Sequence, residues 1–111
     1  SCRRLMASIP KYPILREHIR CPDELKTEFL KHVLNSLPEA IPNVEQVLDV
    51  DGVRVECSDG SYVLIRVSGT EPKARLYAGA RSSQALNRVA SIARSVMSEA
   101  IEVASKRTQQ D

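Results

Sequence analysis

The chain is predicted to be an α+β domain, an antiparallel four- to five-stranded sheet with two helices on one face, on the strength of three observations. Residues 84–105 carry apolar side chains at helical spacing, and a shorter run over residues 25–37 does the same. Between them, the pairs Asp51-Gly52 and Asp59-Gly60 mark two tight hairpin turns around a stretch that alternates apolar and polar residues. At 111 residues and 42% hydrophobic content, the chain has the size of one ordinary domain with a modest core. With no tryptophan and a single phenylalanine, that core must rest on Val, Leu, Ile and Ala.

The folded unit is expected over residues 12–105. Residues 1–11 hold only Leu5, Met6 and Ile9 as scattered apolar positions, and read as a linker or the tail of a preceding domain. The chain starts at Ser1 rather than methionine, as expected of a piece cut from something longer. A strand is expected over Tyr12–Arg20, near a sheet edge because Pro13 cannot donate to a ladder. The helix after it has Pro22 at its first position, Asp23 and Glu24 against the positive end of its dipole, and Pro38 as its stop. Its buried face is Leu25, Phe29, Leu30, Val33, Leu34 and Leu37. Strands are then expected at Val44–Val50, around Val53, Val55 and Cys57, at Tyr62–Val67 and at Lys73–Arg81. The last helix presents Ala85, Val89, Ile92, Ala93, Val96, Ala100, Val103 and Ala104 to the sheet. Residues 106–111 are polar and expected to form a disordered tail.

Composition narrows the function. The net charge of +2 argues against a nucleic-acid partner, and Tyr12, Tyr62 and Tyr77 are too scattered to stack bases. From Arg66 to Arg81, however, four basic residues face the single acid Glu71, a local field suited to a small anion. Cys2, Cys21 and Cys57 are odd in number and lack paired spacing, so neither a disulfide framework nor a zinc site is expected, and a cytoplasmic location is. No segment is apolar for the roughly 20 residues that a membrane helix needs. His18 and His32 fit surface or packing roles. Of the acids Asp49, Asp51, Glu56 and Asp59, two belong to Asp-Gly turns, so no metal ligand is expected.

The candidate site is the decapeptide Arg66-Val67-Ser68-Gly69-Thr70-Glu71-Pro72-Lys73-Ala74-Arg75, a loop between two strands. Gly69 permits backbone angles that would turn successive N–H groups toward one point, an anion-binding nest. Ser68 and Thr70 add hydroxyl donors, and Arg66 and Arg75 offer planar forks that match phosphate oxygens. No histidine or acid adjoins Ser68 as a base, so it is expected to be a ligand rather than a nucleophile, and no catalytic residue is expected in this chain. Arg75 is expected either at the phosphate or as a brace for an adjacent domain or for Glu71, whose carboxylate should point away from a dianion. Pro72 stiffens the loop exit.

The run Arg-x-Ser-Gly-Thr-Glu-Pro-x-x-Arg, followed by Leu76-Tyr77, resembles the phosphate-binding loop of the α-D-phosphohexomutases. That family contains phosphomannomutases, phosphoglucomutases and phosphoglucosamine mutases. The resemblance extends from about Tyr12 to Ser105 and places the chain as the family's fourth, C-terminal domain, with a fold like the TATA-box binding protein. It implies a protein that interconverts hexose 6-phosphate and hexose 1-phosphate through a bisphosphorylated intermediate, using a phosphoserine and a magnesium ion held by other domains. This domain would grip the remote phosphate, with the phosphorylated hexose and the upstream domains as its partners, and would be inactive alone. The Ser-Gly-Thr-Glu-Pro form is usual in phosphoglucosamine mutases and archaeal-type phosphomannomutases, where some bacterial members have asparagine at the position of Gly69 and threonine at that of Glu71. Val67 stands where proline is common, a difference expected to alter loop stiffness. The alternative is a free-standing α+β module that binds a phosphorylated metabolite or nucleic acid.

Overall fold

The computed structural model describes residues 13–49 and 52–110, with the backbone alone for residues 108–110. The expected linker at 1–11, Tyr12 and Asp51 therefore lie outside the described residues. The remainder reads β1 (Ile14–Arg20), a 3-10 turn (Asp23–Leu25), α1 (Lys26–Ala40), β2 (Val44–Leu48), β3 (Val53–Cys57), β4 (Tyr62–Val67), β5 (Lys73–Gly79) and α2 (Ser83–Gln110). The strands form one antiparallel sheet in the order β1-β5-β4-β3-β2, so β1 crosses the meander and closes one edge. Five strands and two helices match the α+β expectation.

Alternation along the strands divides the sheet into a covered and an open face. Val53, Val55 and Cys57 of β3, Val63 and Ile65 of β4, and Ala74, Leu76 and Ala78 of β5 are all buried. They form one layer with Phe29, Val33 and Leu37 of α1 and with Val89, Ala93, Val96, Met97 and Ala100 of α2. Phe29, the chain's single phenylalanine, is fully enclosed. Alanines at 90, 93, 100 and 104 are completely buried, so the α2 backbone can approach its neighbours closely. The bidentate bond of Arg94 to Glu17, at 2.8 and 2.7 Å, ties edge strand β1 to α2. That donation holds the Glu17 carboxyl below its ordinary range.

Four boundaries differ from the sequence-based expectation. Pro22 caps a 3-10 turn rather than opening the α-helix, and the helix proper begins at Lys26. Pro38 lies inside α1, which runs on to Ala40. A proline removes one N–H and crowds the preceding turn, but in the last turn little helix remains to disrupt. The bond from Ile41 N–H to Leu37 O, 3.1 Å, still closes that turn. At the other terminus, α2 extends through 106–110, where a disordered tail was the expectation. The last strand stops at Gly79 instead of Arg81.

Cys21 and Cys57 are free and buried, and burial raises the pKa of both thiols, which keeps them protonated and unreactive. Among the described residues no helix is long and apolar enough to cross a membrane.

The β3–β4 turn holds a titrating group. Asp59 accepts from the Ser61 hydroxyl at 2.5 Å and the Ser61 backbone N–H at 2.9 Å, and these bonds lower its pKa. A lowered folded pKa contributes stability that is present above the ordinary aspartate value of about 3.9 and disappears as pH falls through the folded value. Asp59→Asn is thus expected to flatten the acid limb of the stability curve below about pH 4, read by urea denaturation at several pH values. An acid limb unchanged by the substitution would show that Asp59 contributes nothing to it.

Candidate functional site

The open face of the sheet concentrates arginine. Antiparallel register sets Arg66 of β4 directly opposite Arg75 of β5, and Arg75 directly opposite His18 of β1. Arg20 and Lys73 form the next pair toward the loop. Like charges set opposite each other on one face destabilise a sheet, so this row invites an anion. Next to it, Arg66, Val67, Ser68, Gly69, Arg75 and Tyr77 line a recess of about 240 Å³.

The arginines differ in how far they are engaged. Arg54, also on this face, donates to Glu56 at 2.6 Å and stacks over Tyr62 at 4.7 Å from the ring centre. Arg75 lies 3.5 Å from the Glu71 carboxylate, which is also 3.4 Å from Lys73. Both contacts are half exposed and longer than a good hydrogen bond, so they hold Arg75 weakly. The Arg66 guanidinium makes no hydrogen bond or ion pair among the described residues. Its stem instead packs on the β2–β3 turn, where a Cβ added to Gly52 would lie 2.8 Å from Arg66 Cγ. Glycine at position 52 therefore gives Arg66 its place, and its φ of +132° suits glycine alone.

The loop itself is built differently from the expected nest. Gly69 does not have a left-handed φ, and the N–H groups of Thr70 and Glu71 turn to Ser68 Oγ, at 3.3 and 3.0 Å. Ser68 thus organises the turn by accepting two backbone bonds. A hydroxyl has two lone pairs and one proton, so the Ser68 O–H remains a donor with its direction constrained. A Cβ at Gly69 would meet nothing within 4 Å. Glycine here leaves the recess unobstructed, which replaces the conformational reason inferred from sequence. The loop ends are pinned by Ser68 N–H to Lys73 O at 2.9 Å and Cys21 N–H to Pro72 O at 2.8 Å.

The structure brings Arg66, Ser68, Gly69 and Arg75 around one recess, with Thr70 exposed at the loop tip. Sequence reasoning missed Gly52, Tyr77 and Lys26. Lys26 Nζ reaches the carbonyl oxygens of Ser68 and Glu71 at 2.5 and 2.9 Å from the start of α1. A signal for it existed, because a cation in a first helical turn opposes the macrodipole and needs another reason to be there. His32, by contrast, interacts with Ser36 and lies 3.5 Å from Glu99, a packing role.

Comparison with known proteins supplies a family. A family model described as "Phosphoglucomutase/phosphomannomutase, C-terminal domain" matches residues 18–95. A probable phosphoglucosamine mutase of Methanopyrus kandleri is 49% identical over 80 residues, covering 72% of this chain and 17% of that protein. A phosphopentomutase of Thermococcus kodakarensis is 33% identical over 104 residues, covering 93% of this chain and 23% of that protein. The chain therefore spans less than a quarter of the length of these relatives. The crystal structure of a phosphoglucomutase/phosphomannomutase family protein from Burkholderia thailandensis matches 87% of this chain and 19% of its own, with a TM-score of 0.59 and 24% identity. That likeness supports the fold.

Two glycines should respond oppositely to substitution. Gly52→Ala is expected to cost about 1–3 kcal/mol in urea denaturation, since its Cβ would sit 2.6 Å from Ile65 O at a strained φ. Gly69→Ala should change stability by less than about 0.5 kcal/mol, because its Cβ meets open space. Equal costs at the two positions would contradict this packing.

Proposed function

The chain belongs to the phosphoglucomutase/phosphomannomutase family as its C-terminal domain, and from that premise we propose that its loop grips a substrate phosphate remote from the reacting end. The observation that carries this reading is the cross-strand pairing of Arg66 with Arg75 beside the Ser68–Thr70 turn. Two permanently charged forks, a constrained hydroxyl and an open glycine form a receptor for a phosphate dianion. Among the described residues the Arg66 guanidinium has no hydrogen-bond or ion-pair partner, and its fork can donate two parallel N–H bonds to phosphate oxygens. Arg75 can exchange its weak contact with Glu71 for a second pair.

In the whole protein, the reaction proposed is transfer of a phosphoryl group between C6 and C1 of a hexose, through a bisphosphorylated intermediate that turns over between two transfers. Remote binding contributes to such chemistry because the energy of a non-reacting phosphate can orient the reacting one. A grip that serves both orientations must read phosphate and largely ignore the sugar. The occurrence of this domain in relatives named for glucosamine and for pentose phosphates fits a site of that kind. The predominance of phosphoglucosamine mutases among the relatives favours an amino-hexose phosphate.

The described residues bring together no group of three carboxylate, histidine or cysteine side chains that fits a magnesium ion. In the whole protein, a magnesium ion and a phosphoserine would be supplied by other domains. The chain alone is expected to convert no hexose phosphate.

Arg66→Lys keeps the charge and removes the fork. It is expected to weaken binding of a hexose bisphosphate about tenfold, about 1.4 kcal/mol, in an amide-shift titration that follows residues 68–70. Undiminished affinity in Arg66→Lys and Arg66→Ala alike would place the phosphate elsewhere.

A further inference from the structure

The Lys26 side chain is 15% exposed, and its ammonium has three acceptors for its three protons. These are Ser68 O at 2.5 Å, Glu71 O at 2.9 Å and Asp23 Oδ1 at 2.6 Å. Two of the three are loop carbonyls on either side of Gly69 and Thr70. The lysine sits in the first turn of α1, more than 40 residues away in sequence, so the contact joins the 3-10 turn, the helix and the loop.

The consequence concerns one peptide plane. In a trans peptide the C=O and the following N–H point in opposite directions, and the described residues contain no cis bond. Drawing Ser68 O onto Lys26 therefore turns the Gly69 N–H the other way. Gly69 lines the recess between Arg66 and Arg75, and within the described residues its N–H makes no hydrogen bond. The reverse orientation would aim a carbonyl oxygen where a dianion is to sit.

We propose that Lys26 is a positioning residue that locks the Ser68–Gly69 peptide so that an N–H, and not a C=O, faces the bound phosphate. The proposal rests on the phosphate reading of this loop. Its ammonium acts through the peptide and does not touch the ligand. Asp23 holds that ammonium from the helix side and keeps it from competing for the anion.

The test is titration of the ¹⁵N-labelled chain with inorganic phosphate, comparing wild type, Lys26→Met, Lys26→Arg and Arg66→Ala. Wild type is expected to show a downfield shift of the Gly69 amide. Lys26→Met should lose that shift and bind phosphate at least about fivefold more weakly, while Lys26→Arg, which can donate to the same carbonyls, should retain most of it. A lysine that merely stabilised the fold would lower the melting temperature and leave the Gly69 response intact, which overturns the lock. If Lys26→Met does not fold, Lys26→Gln, uncharged and shorter, decides by the same Gly69 readout. A wild-type chain unresponsive at residues 68–70 overturns the phosphate reading and the lock together. A response abolished by Arg66→Ala but untouched by Lys26→Met overturns the lock alone.

Discussion

Register between β4 and β5 is the constraint on which the site depends. Because Ile65 and Leu76 must both enter the covered layer, Arg66 and Arg75 must both emerge on the open face, opposite each other. A slip of one residue would bury a guanidinium on one strand and expose leucine or isoleucine. The hydrophobic layer under the helices thus enforces a pairing that electrostatics alone would reject. Fold stability maintains the concentrated charge, and the loop between the two strands can be short because its ends are already in place.

The loop is held by backbone bonds and by the side chains of Ser68 and Lys26. Ser68 gathers the Thr70 and Glu71 amides, and Lys26 gathers the Ser68 and Glu71 carbonyls. Donors and acceptors that would otherwise need water are thereby paired within the protein, which fixes the backbone of the loop. Glu71 tempers the charge of Lys73 and Arg75 at the loop exit without closing a tight bond to either.

Much of this was legible in the residues. Periodicity of 3.6 over 25–37 and 84–105 and of two over the strands led to the sheet and both helices, since burial of one face is a property of spacing. The decapeptide pointed to the candidate site because its composition is unusual for an ordinary turn. What escaped was long-range or geometric. Lys26 meets Ser68 only after the sheet has brought β1 beside β5, and Gly52 reaches Arg66 only across a hairpin. Gly69 misled because glycine at a turn suggests a left-handed angle, whereas here the missing side chain leaves space. Pro38 misled because its cost depends on how many turns follow.

At the far edge of the sheet, β2 leaves Val47 and Leu48 each 38% exposed, with no further strand beside it among the described residues. A strand with a free row of amides and carbonyls and apolar side chains is a template for another chain. Preparations of this segment should therefore be prone to edge-to-edge self-association as concentration rises. A charged residue at Val47 would be the simplest gatekeeper against it, since β2 lies at the opposite edge from β1.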